Sequence, residues 1–360
     1  MKMNKWTIGL AAAGVISLAS VAQAQDGGAL STPKLGTSIL TGYVSTSYHW
    51  AVGKDQGESY DLGDRREDRF AINVVSLTLA SAPSSGEWGA GYNVQLWVGP
   101  DADDLGLGGD ENSGGVLKNA YISFGDDEGS VAFGRFDSIL GMDKIDYNLN
   151  PHFGHSNGYA IEPHLHEGLK ATFGDDEASG SFLVANTIDP SSNGASGNTE
   201  RKTYGVAFSV SPGKRIDALG GARIDLAWIN GDTNGQTASG SVSNFYFGLV
   251  VPVSEKLSAG LAWDVRKDGG GKGQSDSVVG LHFEYAVSDQ TKINIRGERV
   301  NDGPFGDEGS DSWDLTTTLN YRLWDGVLSR LEYRYTAMDD AVGNEQEHSH
   351  GIWANLIYEF

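Results

Sequence analysis

Three acidic residues close together, Asp137, Asp143 and Asp146, and four arginines far along the chain, Arg296, Arg322, Arg330 and Arg334, are the charges whose placement gives them something to act on. The acids fall in one long connecting stretch, 136–163, with Lys144 among them. The arginines, with Lys292, recur on the same parity of segments that alternate in character, so they share one face of their strands. Set opposite each other, the two groups make a transverse field that sorts charged solutes at close range. Glu298, Asp314 and Glu332 lie on the same parity, so the arginines can equally be neutralised as ladders of cross-strand pairs. Both arrangements put the charges on one inner face; only the first makes them selective.

Six of the eight histidines are grouped: His152 with His155, His164 with His166, and His348 with His350. A His-x-His pair along a strand presents both rings on one face, where a metal ion could bridge them, with Glu162 and Glu167 as oxygen donors. The plainer reading is polar lining near the rim. Asp/Gly-rich segments such as Asp101–Gly106 lack the spacing of a twelve-residue calcium loop. They leave weak surface Ca²⁺ binding, bridging acidic lipopolysaccharide, as a further ion expectation; no cofactor is expected. The chain has no phosphate loop or dinucleotide fingerprint. Ser349 beside His348 is no catalytic pair, because neighbours in a strand face opposite sides. No enzyme is expected.

The elements that would position these side chains begin at the two ends. Lys2 and Lys5, an apolar run over 6–22 and Ala22-Gln-Ala24 read as a cleaved secretory leader over 1–24, leaving a domain over 25–360. There is no cysteine, so neither a disulfide framework nor an acylated-cysteine anchor is available. Net charge is −22, or −24 once the two lysines of the leader are set aside, which argues against a nucleic-acid partner. The last strand puts Ile352, Ala354, Leu356, Tyr358 and Phe360 on one face and Trp353, Asn355, Ile357 and Glu359 on the other. A closed membrane barrel has no sticky edge and can end this way. The terminal Phe360 resembles the assembly signal of Gram-negative outer-membrane barrels, which implies the barrel-assembly machinery as a partner.

Between these ends lie sixteen segments of period two, near 38–49, 69–80, 87–98, 116–125, 129–135, 164–174, 178–187, 201–211, 221–231, 241–251, 256–266, 276–286, 291–300, 312–323, 327–337 and 349–360. The second needs a bulge, since Phe70, Ile72 and Val74 give way to Val75, Leu77 and Leu79 on the other parity. Long and short connections alternate throughout, as in an outer-membrane barrel with short turns at one end and long loops at the other. The fold expected is an all-β closed antiparallel transmembrane barrel of sixteen strands, fourteen or eighteen being the alternatives. The acidic clusters of the turns, such as Gly125–Glu128 and Gly174–Glu177, read first as solvated loops and second as cation attractors at a pore mouth.

Several stretches resemble the OmpL-like β-barrel porin family: Leu40–Tyr48, Asp64-Arg-Arg66 leading into Val75–Leu79, Lys118–Phe124 followed by Val131–Phe136, Asn148–Pro151 and Gly168–Phe173. The resemblance implies an outer-membrane pore and transfers no catalytic residue or ligand. In porins of this layout a loop after the fifth strand folds inward, which here is 136–163. Sixteen strands leave an aqueous lumen that such a loop would narrow. The eyelet expected is therefore Asp137, Asp143 and Asp146 facing Arg296, Arg322, Arg330 and Arg334. The function expected is passive diffusion of small hydrophilic solutes and ions, with both termini periplasmic and a homotrimer implied by the porin layout. An adhesin or scaffold on the same barrel is the competing reading.

Overall fold

The structure, a computed structural model, describes residues 38–52, 69–83, 88–105, 115–126, 128–188, 202–212, 220–231, 241–268, 275–301, 311–338 and 347–360. The leader expected at 1–24 and most of the long connections lie outside the described residues. The strands are β1 (Ile39–Val52), β2 (Arg69–Ser81), β3 (Gly89–Val98), β4 (Gly115–Gly125), β5 (Gly129–Asp137), β6 (Leu165–Gly174), β7 (Ala178–Ala185) and β8 (Thr203–Val210). They continue as β9 (Arg223–Gly231), β10 (Val242–Pro252), β11 (Leu257–Asp268), β12 (Ser275–Ala286), β13 (Thr291–Asn301), β14 (Ser312–Trp324), β15 (Val327–Met338) and β16 (Glu347–Glu359).

Each strand pairs with its sequence neighbours, and β16 returns to β1, so the sheet closes as a sixteen-strand antiparallel barrel. At the seam the register runs from Tyr43 opposite Glu359 to Val52 opposite His350. The Phe360 and Gly42 backbones exchange hydrogen bonds of 2.9 and 3.0 Å. Gly42 is needed there: a Cβ would sit 2.7 Å from the Phe360 ring and 2.3 Å from the Ser76 carbonyl.

Period two decides which solvent each side chain meets. Phe133, Phe208, Leu281, Leu331 and Tyr358 are exposed on the outside, while Asn73, Gln95, Asn244, Asn294, Thr316 and Asn355 are buried inside. The bulge expected in the second strand is present. Ser45 pairs with Val74 and Thr46 with Ile72, leaving Asn73 as the extra residue. The inversion falls one residue earlier than the parity suggests: Val74 is fully buried beside Asn73, whereas Phe70 is 87% exposed.

The short turns explain their own acids. Asp126 Oδ1 accepts the Glu128 N–H at 2.9 Å and Asp175 Oδ1 the Glu177 N–H at 2.8 Å. Both are turns closed by a side-chain carboxylate. Among the described residues, three short helical pieces have no counterpart in the period-two reading: α1 (Pro100–Asp104), a 3₁₀ turn (Tyr147–Leu149) and α2 (Asn157–Ile161). Each is a single turn or little more, too short for a helical period to show in sequence.

Candidate functional site

Residues 138–164, between β5 and β6, form a strap that touches the inner wall on every side. The Ser138 N–H donates to the His164 carbonyl at 2.8 Å, closing its neck. Ser156 caps α2, accepting the Tyr159 N–H at 3.1 Å. With little regular structure, the strap has many main-chain groups without a ladder partner, and these must be satisfied by the wall.

On one side the anchor is Asp146. Its Oδ1 accepts from Gln95 Nε2 at 2.7 Å, Tyr43 Oη at 3.1 Å and Trp97 Nε1 at 3.2 Å. Its Oδ2 meets Lys118 Nζ at 2.9 Å. Lys118, wholly buried, also pairs with Asp137 at 2.8 Å. Tyr147 stacks between Trp97 and Phe153, with ring centroids 6.2 and 5.4 Å apart, and its hydroxyl donates to Asp101 of α1 at 2.7 Å. Asn148 reaches Glu359 near the turn end of β16 at 2.8 Å. Tyr43, Val74, Trp97, Ile145, Tyr147, Phe153 and Ile357 belong to one apolar cluster inside the barrel. A second joins Leu140, with Ile139 and Met142 packed against it, to Leu183, Ile229, Val242, Tyr246 and Ala262 on the facing strands.

On the far side, β13–β15 hold the strap largely by its backbone. Glu332 accepts the N–H groups of Phe153 at 2.7 Å and Gly154 at 2.9 Å, and the Thr318 hydroxyl at 2.6 Å. Glu298 accepts the Asn157 N–H at 2.8 Å. Arg296, 0% exposed, donates to the carbonyls of Gly154 at 3.2 Å and His155 at 2.8 Å. Arg330 donates to those of Tyr147 at 2.9 Å and Asn150, and Arg334 to that of His155 at 3.1 Å. The wall charges also pair among themselves, Arg296 with Glu298 and Arg334 with Asp314, both at 2.9 Å. Asp143 lies 3.4 Å from Arg296. Burial alone would raise its carboxyl, but the Arg296 guanidinium holds it below the ordinary range.

Six of the seven charges singled out in the sequence, Asp137, Asp143, Asp146, Arg296, Arg330 and Arg334, therefore belong to the strap or the wall around it. Arg322 does not: it is exposed near the turn end of β14, two residues from Trp324. The acids do not face the arginines across open water. Asp143 touches Arg296, while Asp137 and Asp146 serve Lys118 on another wall.

The histidines are dispersed. His152 Nδ1 lies 2.7 Å from Thr318 Oγ1 and His166 Nε2 3.1 Å from Ser138 Oγ. His155 and His164 sandwich Tyr159, with centroids 4.0 and 3.7 Å away. Among the described residues no group of three or more His, Cys, Asp or Glu side chains is placed to hold a metal ion. Burial, and then Arg296, push the His152 imidazole well below its usual value, and burial takes His155 down to about 4, so both dock neutral. His348 and His350 sit on the outer face, at 2.8 and 2.7 Å from the hydroxyls of Tyr335 and Tyr333.

Glu162, at the end of α2, lies against Asp264 of β11. Burial first, and Asp264 second, raise the Glu162 carboxyl well above its ordinary value, as two close carboxylates require of one partner. Two glycines make room for the pair: a Cβ on Gly141 (φ +89°) would lie 1.9 Å from Glu162 Oε2, and one on Gly158 2.4 Å from Asp264 Oδ2.

Sequence reasoning missed Lys118, Glu332 and Asp264 as partners of the strap, and Asn157 within it. Lys118, Glu332 and Asp264 carried a signal, a charge on the inward parity of a mid-strand; Asn157 had none beyond its place in the long connection.

The family profile described as "Putative beta-barrel porin-2, OmpL-like" matches residues 39–358. No curated protein sequence matches this chain. Among solved structures it is similar to a loop-deletion mutant of OmpT, an outer membrane protein of Vibrio cholerae, with 14% identity, TM-score 0.61, and 91% of this chain and 100% of that one covered. It is similar to the outer membrane channel DcaP of Acinetobacter baumannii at 10% identity and TM-score 0.61, with 91% and 99% covered. An anion-selective porin from Comamonas acidovorans gives 12% identity and TM-score 0.60, with 90% and 99% covered. The closed barrel, its apolar exterior and polar interior, and a profile match running almost from the first strand to the last place this chain in the OmpL-like β-barrel porin family, whose members are outer-membrane channels for passive diffusion.

Proposed function

We propose that the solutes are small and hydrophilic, ions included, and that strap and wall together filter them by size and charge. The observation that carries this is the segregation around the barrel of an apolar exterior from an interior lined by Asn, Gln, Thr and charged side chains. Around the strap the described carboxylates Asp101, Asp137, Asp143, Asp146, Glu162, Asp264, Glu298, Asp314, Glu332 and Glu359 outnumber the cations Lys118, Lys144, Lys170, Arg296, Arg330 and Arg334. With the Glu162–Asp264 pair sharing a proton, the excess is modest and favours cations. Asp137, Asp143, Asp146, Arg296, Arg330 and Arg334 set the filter, and Arg322 adds charge at the turn end.

In this reading residues 1–24 are a cleaved leader, both termini and the short turns are periplasmic, and Phe360 is the element that the assembly machinery engages. A homotrimer is supported by the trimer form of Vibrio cholerae OmpT. The work is passage rather than chemistry. Planar-bilayer recording of purified protein in asymmetric salt tests it: a reversal potential on the cation side is expected. A silent bilayer, together with cell binding that depends on the long loops, would favour the adhesin reading instead.

A further inference from the structure

The strap does more than narrow the lumen. Two apolar clusters join it to opposite parts of the wall, and β13–β15 saturate its main chain between them. Inward side chains are buried all round the barrel, Trp97, Lys170, Ile229, Asp264, Arg296 and Asn355 among them, and packing of this density leaves no room for a hydrated ion. A diffusion channel whose waist is filled by wall side chains could never open. Here the filling is a single connection, tethered only at its two ends, with no helix longer than five residues and no strand of its own.

We propose that residues 138–164 are a latched plug: this conformation is closed, and conduction requires the strap to leave the wall of β13–β15 and β11. The inference rests on the channel reading given above. The latch groups are Glu332, Glu298, Arg296 and Arg330, and they grip backbone amides and carbonyls. Water can replace them on the strap backbone, Leu140, Ile145, Tyr147 and Phe153 supply the apolar part of the hold, and the ladder left behind is already neutral. Its barrel need not change when the plug moves.

The chain contains no cysteine, so an engineered disulfide is free of competitors. An ideal Cβ at Gly158 lies 3.6 Å from the Asp264 Cβ, inside the roughly 3.5–4.5 Å span of disulfides. Full-length Gly158→Cys/Asp264→Cys protein, oxidised and checked for loss of free thiols, should carry no current above bare lipid. Reduction should restore the current of the Asp264→Cys single variant. Oxidised protein that conducts like its reduced form would overturn the plug while leaving the channel intact. Wild-type protein that never conducts would overturn the channel reading, and the plug with it.

A second variant covers the case in which the double cysteine does not fold. Glu332→Gln keeps the shape but weakens the charge-assisted contacts to Phe153 and Gly154, and should raise the open fraction about tenfold. An unchanged open fraction would count against the latch.

Discussion

Acid should loosen the strap through its buried histidines once Glu162 and Asp264 are silenced. His155 docks neutral, burial holding its imidazole down to about 4 despite the nearby Asp143 carboxylate, while Arg296 and His164 push the same way as burial. Released into water it returns to its ordinary 6.5. A base whose docked value lies below its free value takes up its proton preferentially in the released state. Its support for docking is therefore complete above 6.5 and is lost as pH falls from 6.5 towards 4. At about pH 5 the loss for His155 alone is about 2 kcal/mol, or roughly thirtyfold in the docked-to-released ratio. His152 pushes in the same direction.

Glu162 opposes both. Raised by burial and by Asp264, it keeps a proton when docked that it gives up near 4.5 when free, so its support grows as pH falls through the raised value. Asp143, lowered, keeps its support until the pH drops below the ordinary carboxylate range. Glu162→Gln, made on an Asp264→Asn background, removes the opposing carboxyl pair and leaves the histidines to act. Its bilayer current should rise as pH is stepped from about 7.5 to about 5. Adding His155→Gln should shrink the rise, and His152→Gln with it should flatten the response. A flat current in the Glu162→Gln/Asp264→Asn variant, or a rise that survives loss of both histidines, would refute the reasoning.

Arg296→Met leaves Glu298 and Asp143 buried without their cation and should cost about 3–5 kcal/mol in chemical unfolding from detergent micelles. Leu281→Arg, half exposed at mid-height on the outer face of β12, should cost about 2–4 kcal/mol in refolding into lipid vesicles. Lys292→Ala, which removes an ion pair to Glu284 whose side chains are 49% and 39% exposed, should change the same measurement by under about 1 kcal/mol. Gly42→Val drives a side chain into Phe360 and the Ser76 carbonyl at the seam. It should destabilise closure by about 1–3 kcal/mol, read as earlier loss of the heat-resistant band in electrophoresis.

Much of the architecture was legible because a membrane barrel writes its fold at period two. Val279, Leu281, Phe283 and Tyr285 of β12 alternate with Gly280, His282 and Glu284, and a one-residue error would turn every one of them to the wrong solvent. The bulge at Asn73 was readable for the same reason, since it inverts parity. The strap was legible as a long connection bearing charge, but its partners were not. Tyr147, Gly154 and His155 are held through carbonyl and amide groups that every residue possesses, so sequence carries no mark of the contact. Arg322 misled because parity fixes the face of a strand and not the height: it shares the inward parity of Arg296 yet stands at the turn end of its strand.

The charges on β13–β15 look contradictory at first, since burying arginine against a loop is costly and a diffusion pore gains nothing from a sealed waist. The pairing resolves it. Arg296 with Glu298 and Arg334 with Asp314 are neutral units of the wall in their own right, so covering them buries matched pairs whose remaining donors and acceptors fall on strap backbone. Desolvation is then offset by charge-assisted hydrogen bonds that water would otherwise make. The same pairing means that an uncovered wall presents little net field, leaving the sign of selectivity to the carboxylates that the strap itself carries. Position and charge of one segment would thus decide both whether ions pass and which ones do. Neutralising Asp143 and Asp146 should weaken cation preference in the open channel more than removing a matched wall pair such as Arg334 with Asp314.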